Sequence, residues 1–208
     1  NLLKRYSCAK VGEITAANGH IDLFVFEYNG KRLGFYLSPL GSTLCGQAMI
    51  EASWLLGASG FVMFGSCGSL DETKTRGRYV IPTEAYRDEG MSYHYAPASD
   101  YIRIRGCEVT TSILDRMKIP YVKGRVWTTD AFLRETAGEV ARRREEGCLA
   151  VEMELAGVQA VADFYGLQLY DFLEPGDVVG EMDYEAEGLK TANHSLFKLQ
   201  IALELASS

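Results

Sequence analysis

The chain lacks the patterns by which cysteine and histidine usually build a framework or a metal site. Its five cysteines, Cys8, Cys45, Cys67, Cys107 and Cys148, are odd in number and widely spaced, and no CxxC pair occurs. There are only three histidines, His20, His94 and His194, and none stands at ligand spacing from another. Neither a disulfide framework nor a zinc site is supported, so no metal is expected and a reducing cytoplasm is the expected compartment. No apolar run is long enough to cross a bilayer and no signal peptide is evident, so no membrane partner is expected. A surplus of basic charge is missing as well. With 21 Lys and Arg against 28 Asp and Glu, the net charge of −7 excludes a protein built to displace counterions from nucleic acid. The basic triplet Arg142-Arg143-Arg144 is followed at once by Glu145-Glu146, which reads as a solvated helix face.

What the chain does have is apolar content. In 208 residues, 47% are hydrophobic, enough for one domain over 1–208 with a substantial core. Ile21–Tyr28 and Leu33–Leu37 are rich in β-branched and aromatic residues and flank Asn29-Gly30, a hairpin signal. Thr43–Leu56 has helical spacing with Gly57 as its cap. Phe61–Phe64 reads as a buried strand ending in the small-residue loop Gly65–Ser69, and Tyr79–Pro82 as a strand closed by its proline. Glu84–Arg105 reads as a long irregular segment rich in Tyr and Arg. Beyond it, helices are predicted at Val109–Met117, Glu135–Glu146, Glu154–Tyr165 and Leu189–Ala206. Strands are predicted at Tyr121–Trp127, Cys148–Val151 and Leu167–Phe172. Alternating strands and helices predict a layered α/β fold with a mixed, largely parallel central sheet flanked by helices, the early hairpin supplying the mixing.

Three stretches carry chemistry. In Val151-Glu152-Met153-Glu154-Leu155-Ala156-Gly157-Val158, two carboxylates stand where a strand gives way to a helix. There they can accept hydrogen bonds from ligand hydroxyls, or simply be acids of a first helical turn, where negative charge is favoured. Gly65-Ser66-Cys67-Gly68-Ser69 follows a strand, so its backbone N–H groups and the Ser66 hydroxyl can meet an anion or a sugar; a tight turn is the alternative. Ser38-Pro39-Leu40-Gly41-Ser42 is a second small-residue loop, and also reads as a helix start capped by Ser42 or Thr43.

Together with Asp130-Ala131-Phe132, these stretches resemble the nucleoside phosphorylase and nucleosidase superfamily, over roughly Ile21–Ala206. The resemblance implies cleavage of the N-glycosidic bond of a nucleoside, by phosphorolysis to free base and ribose 1-phosphate, with water as nucleophile in the alternative. A non-catalytic nucleoside-binding relative is the third reading. Inorganic phosphate would be the co-substrate and no cofactor is implied. By the same resemblance, Phe132 stacks on the base, Met153 packs under the ribose, Glu154 binds its hydroxyls and Glu152 lies beside the base. Ser66, Cys67 and Gly68 line the nucleoside, while Gly41 and Ser66 approach phosphate. Asp177 would hold purine N7 and protonate the departing base, although Pro175-Gly176 precedes it where the family has a serine, and a turn aspartate is the competing reading. A homo-oligomer is implied too, with Tyr86–Arg105 as a contact segment or else a self-packed loop.

The chain departs from the family at the phosphate. Phosphorylases carry an arginine two residues before the glycine turn, and Met63 stands there; no arginine stands near Gly19 or His20, where a second would be donated across a subunit interface. A Gly-Asp-Pro-type loop and the nucleosidases' water-activating glutamate are expected before Asn1. The uracil-reading Gly-Gln-x-Arg run is replaced by Leu133-Arg134-Glu135-Thr136-Ala137, which favours purine nucleosides.

Overall fold

A computed structural model describes residues 2–16, 19–179, 184–185 and 197–208. A short helix α1 (Leu2–Arg5) leads into β1 (Ala9–Ala16), β2 (Gly19–Tyr28) and β3 (Lys31–Phe35). Asn29 and Gly30 join β2 to β3 with φ of 49° and 75°, the left-handed pair that a two-residue hairpin needs. The three strands form a sheet of their own, which corrects the expectation that the hairpin would enter the central sheet. The reason is that Ile14 and Leu23 bury against Ala48 and Ala52 of helix α2 (Ser42–Leu56), giving the small sheet a separate core.

The central sheet contains β4 (Gly60–Ser69), β5 (Tyr79–Asp88), β6 (Tyr101–Arg103), β7 (Tyr121–Thr129), β8 (Cys148–Glu152), β9 (Gln168–Val179) and β10 (Tyr184–Glu185), in the order β10-β9-β4-β8-β7-β5-β6. Pairs β4–β9, β5–β7 and β7–β8 are parallel and β4–β8, β5–β6 and β9–β10 antiparallel, so the sheet is mixed. The pair Val80–Leu173 also joins β5 to β9, so that β9-β4-β8-β7-β5 close into a ring.

Three strands run on past the residues expected to end them. β4 continues through Gly65–Ser69, so that run is extended strand and not a turn. Gly68 serves close approach: a β-carbon there would lie 2.7 Å from Val179 and 2.9 Å from Val151 of the neighbouring strands. β5 passes Pro82 through a bulge between Pro82 and Ala85, and β9 passes Pro175-Gly176 through another, which puts Asp177 inside the strand opposite Gly68. A bulge is where a sheet tolerates proline. The segment expected to be irregular is ordered by Arg87, only 3% exposed. Its guanidinium donates to Ser92 Oγ at 2.8 Å and to Pro97 O at 2.7 Å, and stacks on Tyr93.

Helices α2 and α7 (Leu155–Tyr165) cover one sheet face, packing Cys45, Met49, Leu155, Val158 and Val161 on Cys67, Val126, Ala150 and Leu173. Helix α5 (Cys107–Met117) and the C-terminal helix α8 (Phe197–Ser207) share a second cluster with Ile81 and Phe172. Residues 189–196 of the expected last helix, with His194, lie outside the described residues. Short helices α3 (Glu72–Thr75) and α4 (Ser92–Tyr95) precede α5. Helix α6 (Ala137–Glu145) is held by a capping box between Thr136 and Glu139. Of its arginines only Arg142 is the solvated residue expected. Arg143 is buried, stacked 3.5 Å over the Tyr86 ring and paired with Glu146, while Arg144 donates to the carbonyls of Leu70 and Val179.

Helix α7 meets α2 at Gly157, where a β-carbon would sit 2.6 Å from Ser42 Cβ. Overpacking of this kind costs about 1–3 kcal/mol, against a gain of about 1 kcal/mol for alanine over glycine in a helix. Gly157→Ala is therefore expected to lower the urea midpoint, and a raised midpoint would show that the two helices have room between them.

Candidate active site

The strand β8 ends at Glu152, whose side chain turns back onto the helix that follows. Its Oε2 accepts hydrogen bonds from the backbone N–H groups of Glu154 (2.7 Å) and Leu155 (2.8 Å), and its Oε1 accepts from the Thr128 hydroxyl of β7. Thr128 Oγ1 in turn accepts from Ala156 N at 3.1 Å. Glu152 thus serves donors at the start of α7 that no helical carbonyl can reach. The residue is only 6% exposed. Burial, then the charge of Glu154, pushes its proton affinity up, while the hydrogen bonds oppose that shift.

Glu154, the N-cap residue of α7, sends its carboxylate the other way. Its Oε1 accepts from Gly41 N at 2.7 Å, at the start of α2. The α2 cap expected from a Ser42 or Thr43 hydroxyl is absent; Ser42 instead donates to the carbonyls of Met153 and Glu154, at 3.3 and 3.1 Å. The N-termini of α2 and α7 therefore converge on one carboxylate. Burial, the largest cause, raises the proton affinity of Glu154, the Gly41 N–H lowers it, and the nearby charge of Asp130 adds to the rise. Asp130 itself accepts from Gly90 N at 3.2 Å.

A second group forms where β9, β4 and β8 lie side by side. Gly68 pairs with Asp177 on one side and Val151 on the other, and the Asp177 Oδ2 lies 3.3 Å from where a Gly68 β-carbon would be. Since Val151 directly precedes Glu152, β8 ties this group to the first. Ser66 pairs with Glu174 and is half-buried. The Cys67 thiol is fully enclosed and its pKa is raised, first by burial and then by the charges of Asp177 and Glu152. A thiol so placed is inert, and Cys67 can serve a ligand only through its backbone. Met153 is half-buried, and Phe132, on a 3₁₀ turn over Phe132–Arg134, is 54% exposed. The structure thus joins Gly41, Glu152, Met153 and Glu154 in one group and Ser66, Cys67, Gly68 and Asp177 in another, with Phe132 on the surface.

Residues 2–174 match the family model described as the phosphorylase superfamily. The chain belongs to the phosphorylase superfamily. Among the curated members similar to it is the "Purine nucleoside phosphorylase DeoD-type" of Caldanaerobacter subterraneus subsp. tengcongensis, 28% identical over 211 residues, covering 99% of this chain and 87% of that protein. Proteins of the same name from Bacillus cereus (strain ZK / E33L) and Bacillus mycoides (strain KBAB4) are each 26% identical over 188 residues, covering 88% of this chain and 79% of theirs.

Two acids of this superfamily member were missed in the sequence. Glu89 is buried, accepts from Ser92 N at 2.9 Å, and its Oε1 has no hydrogen-bond partner among the described residues. Asp171 of β9 is 1% exposed, and neither carboxylate oxygen makes a full hydrogen bond among the described residues. It pairs in register with Met63, and the charges of Glu152 and Glu154 act on it. The signal was there: an aspartate inside the apolar run Leu169-Tyr170-Asp171-Phe172-Leu173.

Burial raises the pKa of Asp171 well above its ordinary value. The folded state therefore binds a proton that the unfolded chain releases near pH 4, so this group costs stability as pH rises above that point, up to its folded pKa. Asp171→Asn removes the titration. Its urea midpoint relative to the wild type is expected to rise between pH 5 and pH 8, and a constant difference would show that Asp171 does not titrate there.

Proposed function

We propose that this protein cleaves the N-glycosidic bond of a purine nucleoside by phosphorolysis, giving free base and ribose 1-phosphate. The observation that carries the reading is Glu154. A half-buried carboxylate standing at two converging helix N-termini, within a superfamily whose similar members are named purine nucleoside phosphorylases, suits a pair of ribose hydroxyls. Breaking the bond leaves positive charge on the ribosyl ring, and a carboxylate bonded to the sugar hydroxyls stabilises it. The base departs well only when N7 is protonated, and Asp177, held opposite Gly68, is the group for that task. Phe132 would close over the base and Met153 under the sugar, with Ser66, Gly68 and Glu152 around them.

Inorganic phosphate would be the co-substrate, approached by Gly41 and Ser66, with no other cofactor. The chain would work as one domain in a homo-oligomer, in the cytoplasm, where five unpaired cysteines are at home. One observation favours hydrolysis as a second reading. Met63 stands where phosphorylases carry an arginine, and its partner across the sheet is an acid, Asp171. That pair offers a phosphate dianion no cation.

Base release from inosine, adenosine, guanosine, methylthioadenosine and uridine, in matched buffers with and without phosphate, decides between them. Release that requires phosphate and forms ribose 1-phosphate supports the proposal. Release without phosphate, yielding free ribose, replaces it with hydrolysis, and binding without turnover refutes both. Glu154→Ala is expected to lower turnover at least about a hundredfold with an unchanged circular dichroism spectrum. Full activity in that variant would remove the ribose role.

A further inference from the structure

The small sheet carries a group of polar side chains on the face turned away from α2. Glu13 of β1 stands in register with Asp22 of β2, and Thr15 with His20. Residues two apart on a strand share a face. Glu13, Asp22 and His20 therefore lie together, while Ile14 and Leu23 point the other way into the core. One carboxylate oxygen from each acid and one imidazole nitrogen all lie within 4.8 Å of one another. The register slips between Lys10 and Gly12, and this bulge turns Lys10 onto the same face. Its ammonium stands 3.0 Å from Glu13 Oε2 and 2.6 Å from Asp22 Oδ1.

We infer that Glu13, His20 and Asp22 form a site for a divalent transition-metal ion of the zinc type, with water completing its shell. Three observations carry the assignment. His20 Nε2 and Asp22 Oδ1 are 3.5 Å apart. That is long for an N–H···O hydrogen bond, whose usual length is about 2.9 Å, but close to the ~3.4 Å between two ligands that each stand ~2.1 Å from a tetrahedral ion. The Asp22 Oδ1 atom is enclosed, yet no hydrogen bond of good geometry among the described residues satisfies it. The gap between the acids already accepts a cationic group in the form of Lys10, whose stem is exposed and can swing into water. Exposed ion pairs are weak, so an ion can displace the ammonium.

The donor set selects the ion. One imidazole with two carboxylates suits zinc and its neighbours in the first transition row, whereas magnesium and calcium take oxygen ligands. His20 is exposed, so the site is open to ions in solution. A bound ion would cross-link β1 to β2 and stabilise the small sheet, because the unfolded chain does not hold the three ligands together. Histidine spacing could not announce this set, which contains one histidine and is assembled by strand pairing.

The test is calorimetric titration of the chelator-stripped protein with Zn²⁺, in wild type, His20→Ala, Glu13→Gln and Lys10→Met. The wild type should bind one ion per chain. His20→Ala and Glu13→Gln should each weaken binding at least about tenfold, since even the partners of a ligand are worth that much. Lys10→Met should tighten it about threefold, the scale of an exposed ion pair. No binding in either the wild type or Lys10→Met overturns the site. An affinity that His20→Ala leaves unchanged also overturns it, and would place the ion elsewhere, as on a thiol. Titration with Co²⁺ should give the visible bands of nitrogen and oxygen ligands, and a thiolate charge-transfer band at one equivalent would refute the assignment. The urea midpoint should rise with Zn²⁺ in the wild type and stay put in His20→Ala; an equal rise in both counts against the site. Lys10, Glu13 and His20 are exposed, and Glu13→Gln decides the matter should His20→Ala fail to fold.

Discussion

The Glu152 carboxylate accepts one hydroxyl and two backbone N–H groups, and the geometry of the candidate site depends on those three bonds. Through them β7, β8 and the first turn of α7 become a single rigid corner. A buried carboxylate with fewer partners would be costly, and one with these partners is fixed in direction. Because Glu152 points back at the helix, Glu154 is free to point at α2. The two acids of one short motif thus divide the work, one bonding the start of α7 and the other the start of α2.

The neighbourhood of that corner is unusually acidic. Glu89, Asp130, Glu152, Glu154 and Asp171 stand near the starts of α4 and α7 or beneath them. The helix N-termini that converge there offset part of the negative charge. Asp171 has no such help. It stands in register with Met63, so its nearest strand partner offers it no charge.

Much of this was legible in the residues, for physical reasons that can be named. Asn29-Gly30 announced the hairpin because few other pairs accept two left-handed residues in succession. The strand-to-helix junction at Val151–Leu155 was visible because apolar periodicity changes there while acids appear. Proline and glycine misled. Pro82 and Gly65–Ser69 looked like stops, yet bulges and close strand packing absorb them, and pairing with a distant strand is not written locally. Arg143 and Arg144 looked solvated like Arg142 because their partners, Tyr86, Leu70 and Val179, are far away in sequence. Which carboxylate capped the helix and which faced α2 could not be read either, since the choice rests on Thr128 and Gly41.

The bulge in β9 at Pro175-Gly176 has a consequence for how the chain can change. Side chains alternate across a strand, so one added residue reverses the face of everything after it. Without the bulge, Gly176 would stand opposite Gly68, and the Asp177 carboxylate would emerge on the Cys67 side, away from α6. The location of the proposed acid is therefore a matter of parity. Loss or gain of a single residue between Glu174 and Asp177 would keep Asp177 in the chain and still turn its carboxylate to the opposite face of the sheet.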